Sequence, residues 1–279
     1  MKKQISLLLF SILTLLLLNS CRQETVKTEE KVLVQKYYLT ADTSQGALSV
    51  DIHVEFPVAY SDADVLSKIR TSIITSLFEG KYDKFDNDSL LNAFVLDLYA
   101  DYKANNESLV EKLDKETSYL FNVEHTVEGF TLLSDKQIYS YGIDRFVYMG
   151  GAHGLSTRNY LNFDLKTGNE ITENDLFKEG TEEALADLFR KRIVEQSNEN
   201  EDISPILKLE DTDFWVDSIK PNGNFYITDE SINYVFNPYE IGPYYIGQTE
   251  INLPFERIKA FLKPNSIIAY LLEKQPKKE

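Results

Sequence analysis

The chain has 279 residues, of which 45 are acidic and 29 basic, so its formal net charge is −16 at pH 7. A field of this sign repels nucleic acid, and we predict no nucleic-acid partner. It would steer cationic partners inward, although solubility alone explains such a surface equally well. Cys21 is the only cysteine, which excludes a disulfide framework and a cysteine-based zinc site.

The N-terminus predicts export. Met1-Lys2-Lys3 is basic, and Ile5–Leu18 is an apolar run that is shorter than the roughly 20 residues of a membrane span and typical of a secretory signal. Leu18-Asn19-Ser20-Cys21 resembles a lipobox, before whose cysteine bacteria cleave the chain. We therefore predict a signal peptide over 1–20, lipidation of Cys21 and a cell-envelope location, periplasmic or surface-exposed, with the lipid in the membrane. The alternative is an ordinary signal peptide with a coincidental cysteine.

The next segments predict a tether and a first module. Residues 22–31 are polar and lack periodicity, so we predict a flexible tether over 21–36. An N-terminal module is expected over 37–140, where apolar residues alternate with polar ones from Leu48 to Phe56 and indicate a half-buried strand. Two amphipathic helices follow, the first of them capped by Asp62 or Ser61.

A C-terminal module is expected over 141–274. The tyrosine-rich strand Ile138–Tyr148 leads into Gly150-Gly151-Ala152-His153-Gly154, where glycines allow a sharp turn. A second strand, an amphipathic helix from Thr181 and a hairpin around Asp229-Glu230 come after it. Because strands often follow one another without regular βα alternation, we predict an α+β fold of two subdomains with mostly antiparallel sheets and packed helices.

Several motifs of the C-terminal half resemble a family of exported bacterial domains of unknown function. Members form the extracellular, lysozyme-receptor part of the anti-sigma-V factor and precede the catalytic domain of some peptidoglycan deacetylases. The resemblance is strong over residues 138–265 and weaker over 45–137, and it implies a two-part α+β ectodomain that acts by binding near the cell wall. The matching residues are Gly150-Gly151-Ala152-His153, Asn162-Phe163-Asp164, Thr167-Gly168, Asp175-Leu176-Phe177, Phe225-Tyr226-Ile227-Thr228, Phe236-Asn237-Pro238-Tyr239-Glu240-Ile241 and Gly247 before Ile251.

The candidate ligand-binding residues lie on the glycine turn and on a proline-tyrosine loop. They are Tyr148, His153, Tyr239, Glu240, Tyr244 and Tyr245. We interpret His153 as a turn residue whose ring bonds nearby backbone, with ligand contact as the alternative. The tyrosines suit a rigid contact surface, although they could instead pack the loop onto the sheet. Glu240 could bind a cationic group or, as we prefer, a loop backbone amide.

The motifs point away from catalysis. The sequence contains no Walker loop, dinucleotide fingerprint, HExxH or GxSxG pattern, so we predict no catalytic residue, no cofactor and no metal. We therefore expect a non-catalytic, membrane-anchored binding protein whose partner is a lysozyme-like cationic protein or a cell-wall glycan. The alternative is an enzyme that acts on cell-wall polymers through His153 and nearby carboxylates.

Overall fold

The computed structural model describes residues 25–82, 84–110, 115–199 and 205–274. The predicted signal peptide and Cys21 lie outside these residues. Strands and helices are mixed, as an α+β fold requires. The strands are β1 (Lys27–Tyr38), β2 (Ala47–Ala59), β3 (Val123–Ser134), β4 (Ile138–Tyr148), β5 (Leu155–Asp164), β6 (Phe225–Ile227), β7 (Ser231–Phe236) and β8 (Thr249–Pro254). The α-helices are α1 (Ala63–Phe78), α2 (Asn87–Val110), α3 (Glu173–Leu176), α4 (Glu182–Glu199), α5 (Phe255–Ile258) and α6 (Ala269–Lys274).

Two sheets organise these elements. The larger sheet has the order β1-β2-β3-β4-β5, and the smaller one has the order β6-β7-β8. Only the β2–β3 pair is parallel among the strands described, and the other pairs are antiparallel. The prediction of an α+β fold with mostly antiparallel sheets is therefore confirmed.

The first core lies between the larger sheet and helices α1 and α2. The alternating residues from Leu48 to Phe56 are buried on the inner face of β2, as their spacing predicts. Helix α1 begins after Asp62, whose carboxylate accepts hydrogen bonds from the N–H groups of Asp64 (2.9 Å) and Val65 (3.1 Å). This cap satisfies amide groups that have no partner within the helix, and the predicted start of the helix is confirmed.

The prediction of a flexible tether over 21–36 is wrong from Lys27 onward. Residues Lys27–Tyr38 form a twelve-residue strand that pairs with β2. The charged residues are accommodated because β1 lies at the edge of the sheet, where most of its side chains are exposed. Leu33 and Tyr37 still pack against the first core, and they supply the apolar side of the strand.

The second core lies on the smaller sheet. Its buried residues come from β6–β8, from helices α3 to α6 and from the segments that connect them, together with Ile138 from β4. The predicted boundary at residue 140 falls inside β4, and Tyr141, Ile143 and Phe163 belong to the first core. The two cores are therefore divided after β5, because β3 pairs with β4 and β4 pairs with β5, and these two strands lie mostly in the sequence predicted for the second module.

Asparagine side chains next to the strands of the smaller sheet close the outer edge of β5. The Asn237 amide accepts a hydrogen bond from the Arg158 N–H (2.7 Å) and donates one to the Arg158 carbonyl (3.0 Å). The Asn224 side chain accepts a bond from the Tyr160 N–H (3.0 Å). The primary amide of asparagine carries both a donor and an acceptor, so it replaces the backbone of a neighbouring strand.

Asn162 makes the reciprocal connection from β5 to the open edge of β6. Its amide donates to the Phe225 carbonyl (2.7 Å) and accepts from the Ile227 N–H (3.1 Å). The Ser140 hydroxyl donates to the same Asn162 oxygen at 2.7 Å. Because Asn162 is only 3% exposed, these bonds form away from water and fix the smaller sheet against β5.

Candidate functional site

The glycine turn between β4 and β5 is shaped by two close backbone approaches. Gly150 has φ +74°, and a Cβ at this position would lie 1.8 Å from the Leu120 carbonyl oxygen. A Cβ on Gly154 would lie 2.3 Å from the Phe146 ring. The Tyr148 hydroxyl donates to the Gly151 carbonyl at 3.0 Å and closes the turn. Glycine is therefore required at Gly150 by both the backbone angle and the surroundings, whereas a Cβ on Gly154 would have to displace the edge of the Phe146 ring. His153 is held between the two glycines.

The proline-tyrosine loop places its rings against this turn. Tyr239 has the left-handed φ of +72°, which is uncommon for a residue with a side chain. Pro243 precedes a short 3-10 helix, Tyr244–Ile246, that presents the Tyr244 ring. The Tyr244 hydroxyl donates to the Gly154 carbonyl at 2.8 Å. The two motifs that were recognised separately in the sequence are thus in direct contact.

His153, Tyr244 and Tyr239 form a continuous set of rings that we call the aromatic platform. The rings of His153 and Tyr244 stack at a centroid distance of 3.8 Å and an angle of 20°. The Tyr239 ring lies 5.7 Å from that of Tyr244 at an angle of 38°. His153 is exposed and Tyr239 is 52% exposed, so an aromatic surface faces solvent.

Two polar groups of the platform, His153 Nδ1 and the Tyr244 hydroxyl, bond the Gly154 carbonyl oxygen. The Nδ1 atom of His153 lies 3.0 Å from the Gly154 carbonyl oxygen. A carbonyl oxygen only accepts hydrogen bonds, so this contact assigns the proton of the neutral ring to Nδ1. The prediction that the His153 ring bonds nearby backbone is confirmed. Within the described residues, no hydrogen bond or ion pair joins His153 to a carboxylate.

Tyr245 and Glu240, two other candidate residues of the same loop, have polar partners of their own. Tyr245 is 67% exposed, and its hydroxyl donates to the Asp213 carboxylate. This hydrogen bond raises the pKa of the Tyr245 phenol. The Glu240 carboxylate accepts a hydrogen bond from the side-chain amide of Asn222 at 3.0 Å. The preferred partner of Glu240, a backbone amide, is therefore replaced by a side-chain amide.

A polar cleft on the larger sheet was not predicted. It has a volume of about 170 Å³ and is lined by residues that include Asp144, Arg158 and Gln248. Arg158 Nε donates to Asp144 Oδ2 at 3.1 Å, because these residues are direct neighbours on β4 and β5. The sequence could not show this pair, since the register of the two strands is set by the turn between them. The part of the chain that the structure describes contains no cluster of three metal-ligating side chains.

The comparisons with known proteins agree with this architecture. Residues 174–256 match DUF3298, a family described as a protein of unknown function. A DUF3298 protein from Bacteroides fragilis has a crystal structure with a TM-score of 0.81 at 24% identity, covering 90% of this chain and 99% of that one. A DUF3298 protein from Pseudomonas aeruginosa gives 0.52 at 15% identity, covering 85% and 95%. At these identities the likeness extends to the fold alone.

A curated relative carries a functional name. The peptidoglycan-N-acetylmuramic acid deacetylase PdaC of Bacillus subtilis is 25% identical over 231 residues, which correspond to 73% of this chain and 45% of that enzyme. The chain thus spans less than half the length of this relative. The resemblance to a bacterial family of unknown function and to a peptidoglycan deacetylase is confirmed. Among the described residues, no helix has the length and apolar character needed to cross a membrane.

Proposed function

We propose that this protein is a lipid-anchored binding protein of the cell envelope, held in the membrane through Cys21, and that its aromatic platform binds a cell-wall glycan. The observation that carries the proposal is the aromatic platform, in which the half-buried Tyr244 ring stacks on the exposed His153 ring and lies next to the exposed Tyr239 ring. Aromatic rings held in fixed positions provide a large contact area at low entropic cost. A sugar ring can lie flat on such a surface while its hydroxyl groups bond nearby polar side chains.

Two further features support a glycan as the ligand. The relative PdaC is named for its action on peptidoglycan, and the similarity covers most of this chain. Around the platform, Glu240 and Asn222 present exposed polar atoms that suit sugar hydroxyl groups. The net charge of −16 would instead favour a cationic protein such as a lysozyme. The two ligands are distinguished by experiment.

The partners already made by the platform support binding without bond cleavage. The Nδ1 atom of His153 is engaged with the Gly154 carbonyl, and the Tyr244 hydroxyl bonds the same oxygen. The bond from Nδ1–H leaves Nε2 as the acceptor of the neutral ring, but within the described residues no carboxylate bonds His153 to orient it as a general base. We propose that the bond to Gly154 instead fixes the orientation of the His153 ring, so that the ring forms part of the contact surface of the platform.

Calorimetric titration with soluble peptidoglycan fragments and, separately, with lysozyme tests the proposal. We expect uptake of the glycan, and we expect Tyr239→Ala to weaken it about tenfold, since one aromatic contact contributes about 1 kcal/mol beyond its buried area. Phe85→Ala is the matched control, because Phe85 is a similarly exposed ring (46%) on the loop between α1 and α2. It should bind like the unaltered protein.

Three results would contradict the proposal. The first is that neither ligand is taken up, and the second is that lysozyme alone is bound. The third is that mass spectrometry of incubated peptidoglycan detects products that disappear with His153→Ala, which would indicate an enzyme. Thermal unfolding of each variant, compared with that of the unaltered protein, separates a lost contact from a lost fold.

A further inference from the structure

Three of the four sheet edges are closed by side chains or by neighbouring backbone. The edges of β5 and β6 are occupied by the asparagine amides described above. Along β8, the Gln196 amide donates to the Glu250 carbonyl (2.9 Å) and accepts from the Asn252 N–H (3.1 Å). Arg192 Nε donates to the Asn252 carbonyl at 3.1 Å. Proteins cover their edges in this way because unpaired strand edges bind other chains.

The edge formed by β1 is different. In residues 25–82, 84–110, 115–199 and 205–274, no side chain or backbone group bonds the outward backbone of this twelve-residue strand. Leu39, immediately after β1, donates to the Gly46 carbonyl at 3.2 Å. Backbone groups alternate sides along a strand, so the odd-numbered residues bond β2 and the even-numbered ones point outward. The outer edge therefore offers the N–H and C=O groups of Glu30, Val32, Val34 and Lys36.

The side chains of these four residues are exposed on one face of β1, with Val32 at 54% and Val34 at 62%. Along β1 their order is acidic, valine, valine, basic. When a second copy of the strand runs in the opposite direction, each acidic residue can face a basic one and each valine can face a valine. In an antiparallel pair of two such strands centred on Leu33, Glu30 lies opposite the partner's Lys36. In the same pair, Val32 lies opposite the partner's Val34.

The hydrogen-bond pattern fits the same register. Antiparallel strands exchange both hydrogen bonds only between residues whose backbone groups point toward each other. In the pair centred on Leu33, Glu30 meets Lys36 and Val32 meets Val34, and all four are residues whose backbone groups point outward. Leu33 meets its own copy at a non-hydrogen-bonded position. Charge order, apolar contact and backbone pattern thus agree on one register.

We propose that β1 is a self-association surface through which two copies of this chain pair in antiparallel fashion. The pairing joins the two five-stranded sheets edge to edge about a twofold axis at Leu33. The contact is isologous, since each copy contributes the same strand. It does not depend on the ligand of the aromatic platform, which lies on the turn after β4.

Charge exchange at the proposed register provides the test. In the chain from Arg22 onward, which keeps every described residue, sedimentation velocity over a concentration series should give twice the mass of one chain. Glu30→Lys and Lys36→Glu should each raise the dimer Kd about tenfold or more, because each places two like-charged pairs in the contact. The double variant should restore the affinity. Glu124→Lys, an exposed change on β3, should leave it unaltered.

Cross-linking tests the register independently of affinity. A mixture of Val32→Cys and Val34→Cys chains should form a disulfide-linked dimer, because directly opposed residues lie about 5.5 Å apart. Either variant alone should cross-link far less, since its cysteines are diagonal and beyond the ~7 Å reach of a disulfide. A chain that stays monomeric at its highest soluble concentration overturns the proposal. The proposal is also overturned if the dimer Kd is unchanged by the single charge changes. It is overturned as well if the double variant does not recover the Kd of the unaltered chain.

Discussion

Gly150 sets the conformation of the glycine turn through both its backbone angle and its surroundings. Its φ is +74°, and a Cβ would lie 1.8 Å from the Leu120 carbonyl oxygen. We expect Gly150→Ala to lower the free energy of unfolding by about 2 kcal/mol or more, because left-handed strain costs about 1–2 kcal/mol and the clash adds to it. Urea denaturation followed by far-UV circular dichroism measures the change.

Two other glycines separate these causes. Gly180 also has a positive φ (+79°), but no atom lies within 4 Å of its added Cβ, whereas Gly151 has neither restriction. Gly180→Ala should therefore lose only the strain contribution of about 1–2 kcal/mol, less than the loss for Gly150→Ala. Gly151→Ala should stay within about 0.5 kcal/mol of the unaltered protein. Equal losses for Gly150→Ala and Gly180→Ala would show that the approach to Leu120 contributes nothing.

The residues of the candidate site differ in how far they could be predicted. His153 follows two glycines in a turn, and local sequence was sufficient to predict that its ring bonds backbone. The stacking of His153 on Tyr244 joins residues 91 positions apart, and no local pattern encodes it. The left-handed φ of Tyr239 was not predicted either, since it runs against the preference of the side chain. Tyr239 lies in a turn that the Glu240 N–H closes by donating to the Asn237 carbonyl.

Asn162 shows how one side chain connects two elements. Its amide bonds the Phe225 carbonyl, the Ile227 N–H and the Ser140 hydroxyl. We expect Asn162→Leu, which keeps the approximate volume, to lower the free energy of unfolding by about 3–5 kcal/mol. The reason is that each buried polar group left without a partner costs about 1–3 kcal/mol. Urea denaturation at constant pH measures this loss.

Asn159 provides the matched control on the same strand. It is exposed, so Asn159→Leu removes the same amide group without leaving a buried group unpaired. Its effect should stay within about 0.5 kcal/mol. If Asn162→Leu were as mild as Asn159→Leu, the amide bonds between β5 and β6 would not stabilise the joined sheets.

Among the elements, a strand could be predicted from its sequence only where one of its faces is buried. Strand β2 alternates buried and accessible residues from Leu48 to Phe56, and this pattern predicts a strand directly. Strand β1 has the same geometry but lies at an edge with most side chains exposed. Its charged residues therefore resemble a tether, and pairing with β2 provides the information that the local pattern lacks.

The whole molecule is organised by contacts between distant parts of the chain. The order of strands and helices predicted the fold class correctly, whereas the predicted boundary between the modules at residue 140 was wrong. The larger sheet needs β4 and β5, which complete the first core, and the same strands carry Ile138 and Asn162 toward the second. A change of composition near residue 140 cannot show which strands pair, because pairing depends on register and distant partners.

The amide bonds between the sheets predict that the two cores unfold together. Trp215 is the only tryptophan, and its backbone N–H donates to the carbonyl of the second-core residue Ile241 at 2.8 Å. Its fluorescence therefore reports on the second core, whereas far-UV circular dichroism reports on the whole fold. In urea, the two signals should give coincident transitions, as expected for a cooperative unit.

Replacing Asn162, Asn224 and Asn237 together by leucine should separate the transitions, because these amides join the sheets. Two transitions in the unaltered protein, or coincident ones in the triple variant, would show that the asparagine bonds do not couple the cores.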